Sequence, residues 1–395
     1  MKILFISPEI CWPLNSGGKI RSFNLLKALS QKHEVILLSL VENPNQDISG
    51  IKKYASRIIL IPHSFGKIKK ISNLIKSFFV KEPFRVLNFY SKEMKEKILE
   101  NIQKERPQVL YFEHIYSTQY LKFIRDKKRF LKVLDTHNLY FRFFESLLKS
   151  QKNWLTALLD KMQISKLKKY EKEVISLFDL VCVCSEKDKK ILSEMVPTKI
   201  EVIPNGVDLA LYQKLKKDQK DNNLLFIGPF DHLPNEAGIF WFIKKIFPKI
   251  QAKVKNVKLY IIGKKPSARI LKLKKRQRIY ILGYVHEIRP FFEKSKVFIV
   301  PLLSGAGTRI KILEAMAARI PVVSTQKGAE GIAVANRKNI LIANSEKSFS
   351  QAVIQLLEND ELCQKITDNA YELVKKKYTW AKSGQRLIEK IKGAK

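Results

Sequence analysis

Residues 301–331, PLLSGAGTRIKILEAMAARIPVVSTQKGAEG, gather groups that could do chemistry into one short run. Gly305 and Gly307 make a glycine-rich turn, and a helix is predicted to open at about Thr308. Arg309 and Lys311 supply two cations, and Glu314 adds a carboxylate one turn later. Glycines let a backbone come close to an anion, and the N–H groups of a helix start point at it. Arg309 and Lys311 can neutralise phosphate charge, while Glu314 can accept hydrogen bonds from ribose hydroxyls. Together these are the parts of a nucleoside diphosphate site. Taken separately, the same residues could be a turn, a capped helix and a solvated charged face.

Such a run must be positioned by strands. The apolar segment Lys2–Ser7 suits a buried parallel strand, and EICWPLNSGG leads from it into a helix predicted from about Gly18 to Gln31. Ile20, Phe23, Leu26 and Leu29 recur there at helical spacing. Val35–Val41 completes a βαβ unit. Further strands are predicted at Arg57–Ile61, Gln108–Phe112, Lys132–Leu134 and Leu180–Val183, with Lys-rich helices at about Ser91–Glu105 and Trp154–Ser176. The segment 202–223 shifts to a turn, Asn205-Gly206, and a charged run, where a linker is expected. The alternation then restarts at Leu224–Ile227, followed by a helix at Phe240–Gln251. Strands are predicted next at Lys258–Ile262, Arg278–Leu282 and Val297–Val300. Strand and helix alternating through 395 residues imply two doubly wound α/β domains.

Four blocks, in this order, resemble glycosyltransferase family 4. They are MKILFISPEICWPLNSGGKIRSFNLLKALSQKHEV, VCVCSEKDKKIL with KIEVIPNGVD, LLFIGPFDHLPNEAGIFWFIKKIFPKI, and the 301–331 run. Residues 42–130 match least. The resemblance implies the GT-B architecture: two Rossmann-like parallel-sheet domains facing across a cleft. The acceptor side would be 1–203 and the nucleotide-sugar donor side 204–376, with the tail helix 377–395 returning to the first domain. It implies a retaining enzyme that moves a hexose-type sugar from a nucleoside diphosphate to a hydroxyl of a saccharide or lipid-linked saccharide.

By the same resemblance Gly17 and Gly18 approach the donor, and His137 matches a histidine that contacts the transferred sugar. Asp135 before it, or Asn138 after it, could instead be that polar contact, and His114 is a weaker candidate of the same kind. Arg21 could reach an anionic group or lie on the surface. Gly228 fits a close backbone approach, and Glu330 a further sugar or ribose contact. Two departures from the family stand out. Ala306 sits where many members have a glutamate, while Pro229 and Pro234 replace a common Arg and Lys, leaving the diphosphate to Arg309 and Lys311. No Asp-x-Asp occurs, and no His/Cys spacing suggests a metal. Protein cations and helix ends would then stabilise the departing diphosphate, with no cofactor and no metal.

The formal charge of +37, from 74 Lys and Arg against 37 Asp and Glu, invites a nucleic-acid reading. The charge is spread along the chain, and that disfavours a dedicated nucleic-acid face. Basic clusters at Lys67, Lys69 and Lys70, at Lys127, Lys128 and Arg129, and through 166–172 suit a solvated surface or peripheral contact with an anionic membrane. A nucleotide-sugar epimerase and a basic nucleic-acid-binding protein are the rival readings. An NAD-type dehydrogenase is disfavoured because no Gly-x-Gly-x-x-Gly follows the first strand. The N-terminus shows no signal-peptide run, and the four cysteines have no metal-ligand spacing, so a cytoplasmic protein with Cys182 and Cys184 as a buried, inert pair is expected.

Overall fold

Two parallel sheets organise the chain, each in its own compact unit: Met1–Pro204 with the segment from Ala381 onward, and Asn205–Trp380. The structure is a computed structural model describing residues 1–148, 154–215 and 221–394. The first sheet comprises β1 (Lys2–Ser7), β2 (Glu34–Val41), β3 (Arg57–Pro62), β4 (Val109–Glu113), β5 (Leu131–Asp135), β6 (Leu180–Val183) and β7 (Ile200–Val202). Their order is β3-β2-β1-β4-β5-β6-β7. Strand residues alternate between two buried faces. Leu4, Ile6, Leu110 and Phe112 fill one core layer, and Ile3, Phe5, Val109 and Tyr111 the other. The strand order reverses direction at β1 and β4, so the loops after those strands splay apart and leave a crevice for side chains.

Helix α1 (Gly17–Ser30) follows β1 and is capped by Ser16, whose hydroxyl accepts the Lys19 N–H at 3.4 Å. Leu25, Leu26 and Leu29 bury its inner face. The chain's last helix, Trp380–Lys392, belongs to this unit. Gly384 permits it, since a Cβ there would stand 2.4 Å from the Ala28 Cβ. Leu387 and Ile391 are buried in the same core layer as Leu25. Cys182 and Cys184 are buried, and burial pushes the Cys184 thiol up to about 12.

The second sheet comprises β8 (Asn223–Ile227), β9 (Lys258–Ile262), β10 (Ile279–Gly283), β11 (Val297–Val300), β12 (Val322–Ser324) and β13 (Leu341–Ile342), ordered β10-β9-β8-β11-β12-β13. Its reversal point lies at β8 and β11. Two expectations change here. The helix predicted at Phe240–Gln251 starts earlier, at Leu233, with proline in its first turn, where the missing N–H costs nothing. The expected linker 202–223 is packed in its described part, 216–220 lying outside the described residues: the Val207 N–H bonds the Tyr378 carbonyl, and the Tyr212 ring is buried against Phe292. The short β7 and β13 were not predicted, since two or three residues carry too little periodicity to register.

Candidate active site

In the first unit, the ends of β1, β4 and β5 and the start of α1 converge on a buried polar constellation. Arg21 is fully buried and grips Asp135 with two bonds: Nε to Oδ2 at 3.0 Å and Nη2 to Oδ1 at 2.5 Å. Its Nη1 donates to the Ile203 carbonyl at 2.7 Å. Burial alone would raise the Asp135 carboxyl, but Arg21, aided by His137, outweighs it and holds the group well below the usual carboxylate range. His137 places Nε2 3.3 Å from both Asp135 Oδ2 and Glu113 Oε1, ion-pair distances without hydrogen-bond alignment. Burial opposes its charge, yet the two carboxylates shift its pKa upward overall. Glu113 in turn accepts the Ser7 hydroxyl at 2.5 Å.

Gly18 lets the imidazole lie on the start of α1, where a Cβ would stand 3.4 Å from His137 Nδ1. His114 lies close by, its ring centroid 3.8 Å from that of His137 and tilted 48° to it, with Nδ1 on the Tyr140 hydroxyl. His114 holds a φ of +59°, a conformation uncommon outside glycine, and burial with the neighbouring His137 keeps it neutral. Glu113, His114 and His137 each offer one ligand atom, all within 4.8 Å of one another, a spacing that could hold a metal ion. The three meet only where β4 and β5 lie side by side, so no spacing in the sequence announces the group.

In the second unit the loop between β11 and the helix Ile310–Ala317 folds around its own cations. Gly305 and Gly307 take φ of +105° and +79°, which side chains rarely tolerate. Arg309 caps the helix and turns back, donating Nη1 to the carbonyls of Ala306 and Gly307. Gly305 makes room, since a Cβ would stand 2.6 Å from Arg309 Nη2. Among the described residues, the Nε and Nη2 donors of this buried guanidinium have no hydrogen-bond partner. Burial lowers its pKa to about 10, against the pull of Glu330.

Lys311 is half-buried and donates to the Ile227 carbonyl at 2.7 Å and to Asn235 Oδ1 at 2.8 Å. A Cβ on Gly228, just after β8, would come within 2.8 Å of both Lys311 Nζ and Asn235, so any side chain there would displace this pair. Burial, then Arg309, drive the Lys311 pKa down to about 7, against the attraction of Glu314. Burial also pushes Glu314 up to about 7, while the Tyr212 phenol and Lys311 favour its charged form. His232, at the start of the helix Leu233–Trp241, is lowered to about 4 by burial and by the two cations.

Residues 16–211 match the family described as Glycosyltransferase Family 4, and residues 221–359 the family described as Glycosyl transferases group 1. The chain belongs to the family 4 and group 1 glycosyltransferases. Over 394 residues the glycosyltransferase is 26% identical to an uncharacterized 44.6 kDa protein in the cps region of Klebsiella pneumoniae, covering 95% of this chain and 96% of that one. It is 24% identical over 229 residues to an Escherichia coli UDP-Gal:alpha-D-GlcNAc-diphosphoundecaprenol alpha-1,3-galactosyltransferase, covering 50% and 57% of the two chains. Its fold matches Anabaena HepE in complex with UDP and glucose, with a TM-score of 0.65, 13% identity and 99% of each chain covered.

The structure of the glycosyltransferase revises several placements. Arg21 is neither a surface residue nor open to a ligand; it is spent on Asp135. Asp135, expected at the reaction centre, is held by Arg21 and acts on His137. The helix expected at Thr308 begins at Ile310, because Arg309 takes the cap, and the Thr308 hydroxyl accepts from Asn205 Nδ2 at 2.5 Å. Glu330 pairs with Lys327 at 2.5 Å. Gly17 and Gly18 form the first turn of α1, and Gly228, Gly305 and Gly307 line the second-unit loop. Three neighbours went unread: Glu113, Asn235 and Tyr212. Glu113 directly follows the strand predicted at Gln108–Phe112 and ends the observed β4, so its position was a usable signal. Asn235 and Tyr212 lay in stretches read as prolines and linker. Among the described residues, no helix is long and apolar enough to cross a membrane.

Proposed function

We propose that this glycosyltransferase moves a hexose-type sugar from a uridine diphosphate donor to a hydroxyl of a saccharide or lipid-linked saccharide in polysaccharide or glycolipid assembly. The observation that carries the reading is the pair of buried, unpartnered donors on Arg309 beside the ammonium of Lys311. Two desolvated cations at one helix start favour an anion, and a diphosphate supplies oxygens for both. The names of the relatives supply uridine: one carries UDP-Gal in its name, and HepE holds UDP and glucose.

In this reading Glu314 accepts the ribose hydroxyls, kept near the site by Tyr212. Glu330 and the backbone at Gly305 and Gly307 serve the donor, as does the start of α1 at Gly17 and Gly18. Arg309 and Lys311 stabilise charge on the departing diphosphate, which is the largest electrostatic demand of the reaction. His137 bonds a sugar hydroxyl, its charged form supported by Glu113 and Asp135. The acceptor hydroxyl attacks on the face the diphosphate leaves, and the leaving phosphate takes the proton, giving retention.

Glu113, His114 and His137 could hold a metal, but two carboxylates against one imidazole favour its protonated form, which does not ligate. In this reading the transfer is metal-independent, with Arg309 and Lys311 meeting the diphosphate charge. The test is UDP release from UDP-hexoses in the presence of a saccharide acceptor, with and without EDTA. Turnover that survives the chelator agrees with this account. Turnover abolished by EDTA and restored by a divalent cation would assign the Glu113, His114 and His137 group to a metal.

A further inference from the structure

A further surface lies on the first unit, on the helix that follows β3. Helix α2 (Lys67–Lys76) buries none of its residues. Ile68, Ile71 and Ile75 recur at helical spacing along one stripe, all exposed, Ile68 at 86%. The chain then exposes Phe78 and Phe79, the latter at 84%. Isoleucine and phenylalanine in water are unfavourable, and soluble proteins seldom present them side by side in this density.

The stripe is held in place. Asn73 of α2 bonds Asn88 Oδ1 at 2.9 Å. Residues flanking the phenylalanines are tied to the helix Trp154–Ile175: Gln163 Nε2 donates to Ser77 Oγ at 3.0 Å, and the Lys166 ammonium donates to the carbonyls of Ser77 and Val80. That helix carries its own exposed stripe, Trp154, Leu158 and Met162, one turn apart, beside Leu159. Met162, exposed, directly precedes Gln163, the residue tied to Ser77.

Charge decides the occupant. Lys67, Lys70, Lys76 and Lys81 are exposed around the first stripe and Lys161 beside the second, and no acidic residue falls between Ser64 and Lys81. The nearest carboxylates are neutralised, Glu82 by Lys122 at 2.5 Å and Asp160 by Arg85 at 2.9 Å. A second copy of the chain would bring lysines against lysines. An anionic bilayer offers both a negative surface for the lysines and acyl chains for the isoleucines and phenylalanines.

We infer that α2, the Phe78–Phe79 turn and the start of the Trp154–Ile175 helix form a membrane-docking surface that lies in the interface of an anionic lipid bilayer. The inference does not depend on what the two constellations bind. It is tested by flotation of the full-length protein with vesicles of phosphatidylcholine alone or containing phosphatidylglycerol, comparing wild type with I71E/F79E and with K67E/K70E. Melting temperature is the control, and since all four side chains are exposed or partly exposed it should hold.

Wild type should float with the anionic vesicles and not with the neutral ones, and each double variant should lose about tenfold or more of that partitioning. Added salt should weaken binding without abolishing it. Three results would overturn the inference. One is no binding to anionic vesicles; another is I71E/F79E binding like wild type, which would leave only non-specific attraction by the net charge. The third is a wild-type dimer that I71E/F79E converts to a monomer.

Discussion

The two constellations solve opposite electrostatic problems. Around His137 the charges are closed: Arg21 neutralises Asp135, and Asp135 and Glu113 share one imidazole. Around Arg309 they are open. A buried guanidinium keeps two donors unpartnered, Lys311 is pushed down to about 7, and Glu314 is pushed up to about 7. A closed network positions a group, whereas a strained set of cations favours a partner that brings negative charge. The lesson is that burial of charge marks a site only where the network lacks internal neutralisation.

Breaking the closed network should give the largest effect. Asp135→Asn leaves Arg21 charged and buried without its partner, at a cost of about 3–5 kcal/mol in unfolding free energy. Denaturant titration of the two proteins measures it. A loss under 1 kcal/mol would mean the pair adds little, and the closed description would fail.

The two glycines sharpen the contrast. Gly228→Ala places a Cβ 2.8 Å from Lys311 Nζ and should weaken UDP binding by about tenfold or more. Gly18→Ala places one 3.4 Å from His137 Nδ1, near ordinary contact, and should change UDP affinity by less than about threefold. Titration of both variants checks the order; equal losses would erase the distinction between the regions.

The smallest effect is on pH. A bound diphosphate favours charged Lys311, so that contribution is full below about 7 and falls as pH rises above it. Ribose hydroxyls favour charged Glu314, so that contribution is full above about 7 and falls as pH drops. UDP affinity should therefore peak near neutrality. Lys311→Met should flatten the alkaline limb and Glu314→Gln the acid limb, each visible in affinities measured from pH 5 to 9.

Legibility in the sequence followed the length scale of the signal. β1, β6, β9 and β11 could be read to the residue because buried parallel strands are continuous apolar runs. Helix α2 was not predicted, since its isoleucines and lysines resemble a solvated segment until the fold shows Ile68, Ile71 and Ile75 exposed along one stripe among the described residues. Arg309 and Lys311 could be read because glycines, cations and carboxylate fall within ten residues. The grip of Arg21 on Asp135 could not, as it joins residues 114 positions apart through a register that only the sheet defines. Glu113 was overlooked although it follows a predicted strand, and with it one of the two carboxylates that outweigh burial at His137.

The central claim is that the open constellation holds a nucleoside diphosphate, and calorimetric titration of the full chain with UDP tests it most directly. Wild type should bind with a defined stoichiometry, and Lys311→Met and Glu314→Ala should each lose about tenfold to a hundredfold, the scale of a hydrogen bond to a charged group. UDP binding left unchanged by both substitutions would contradict the account.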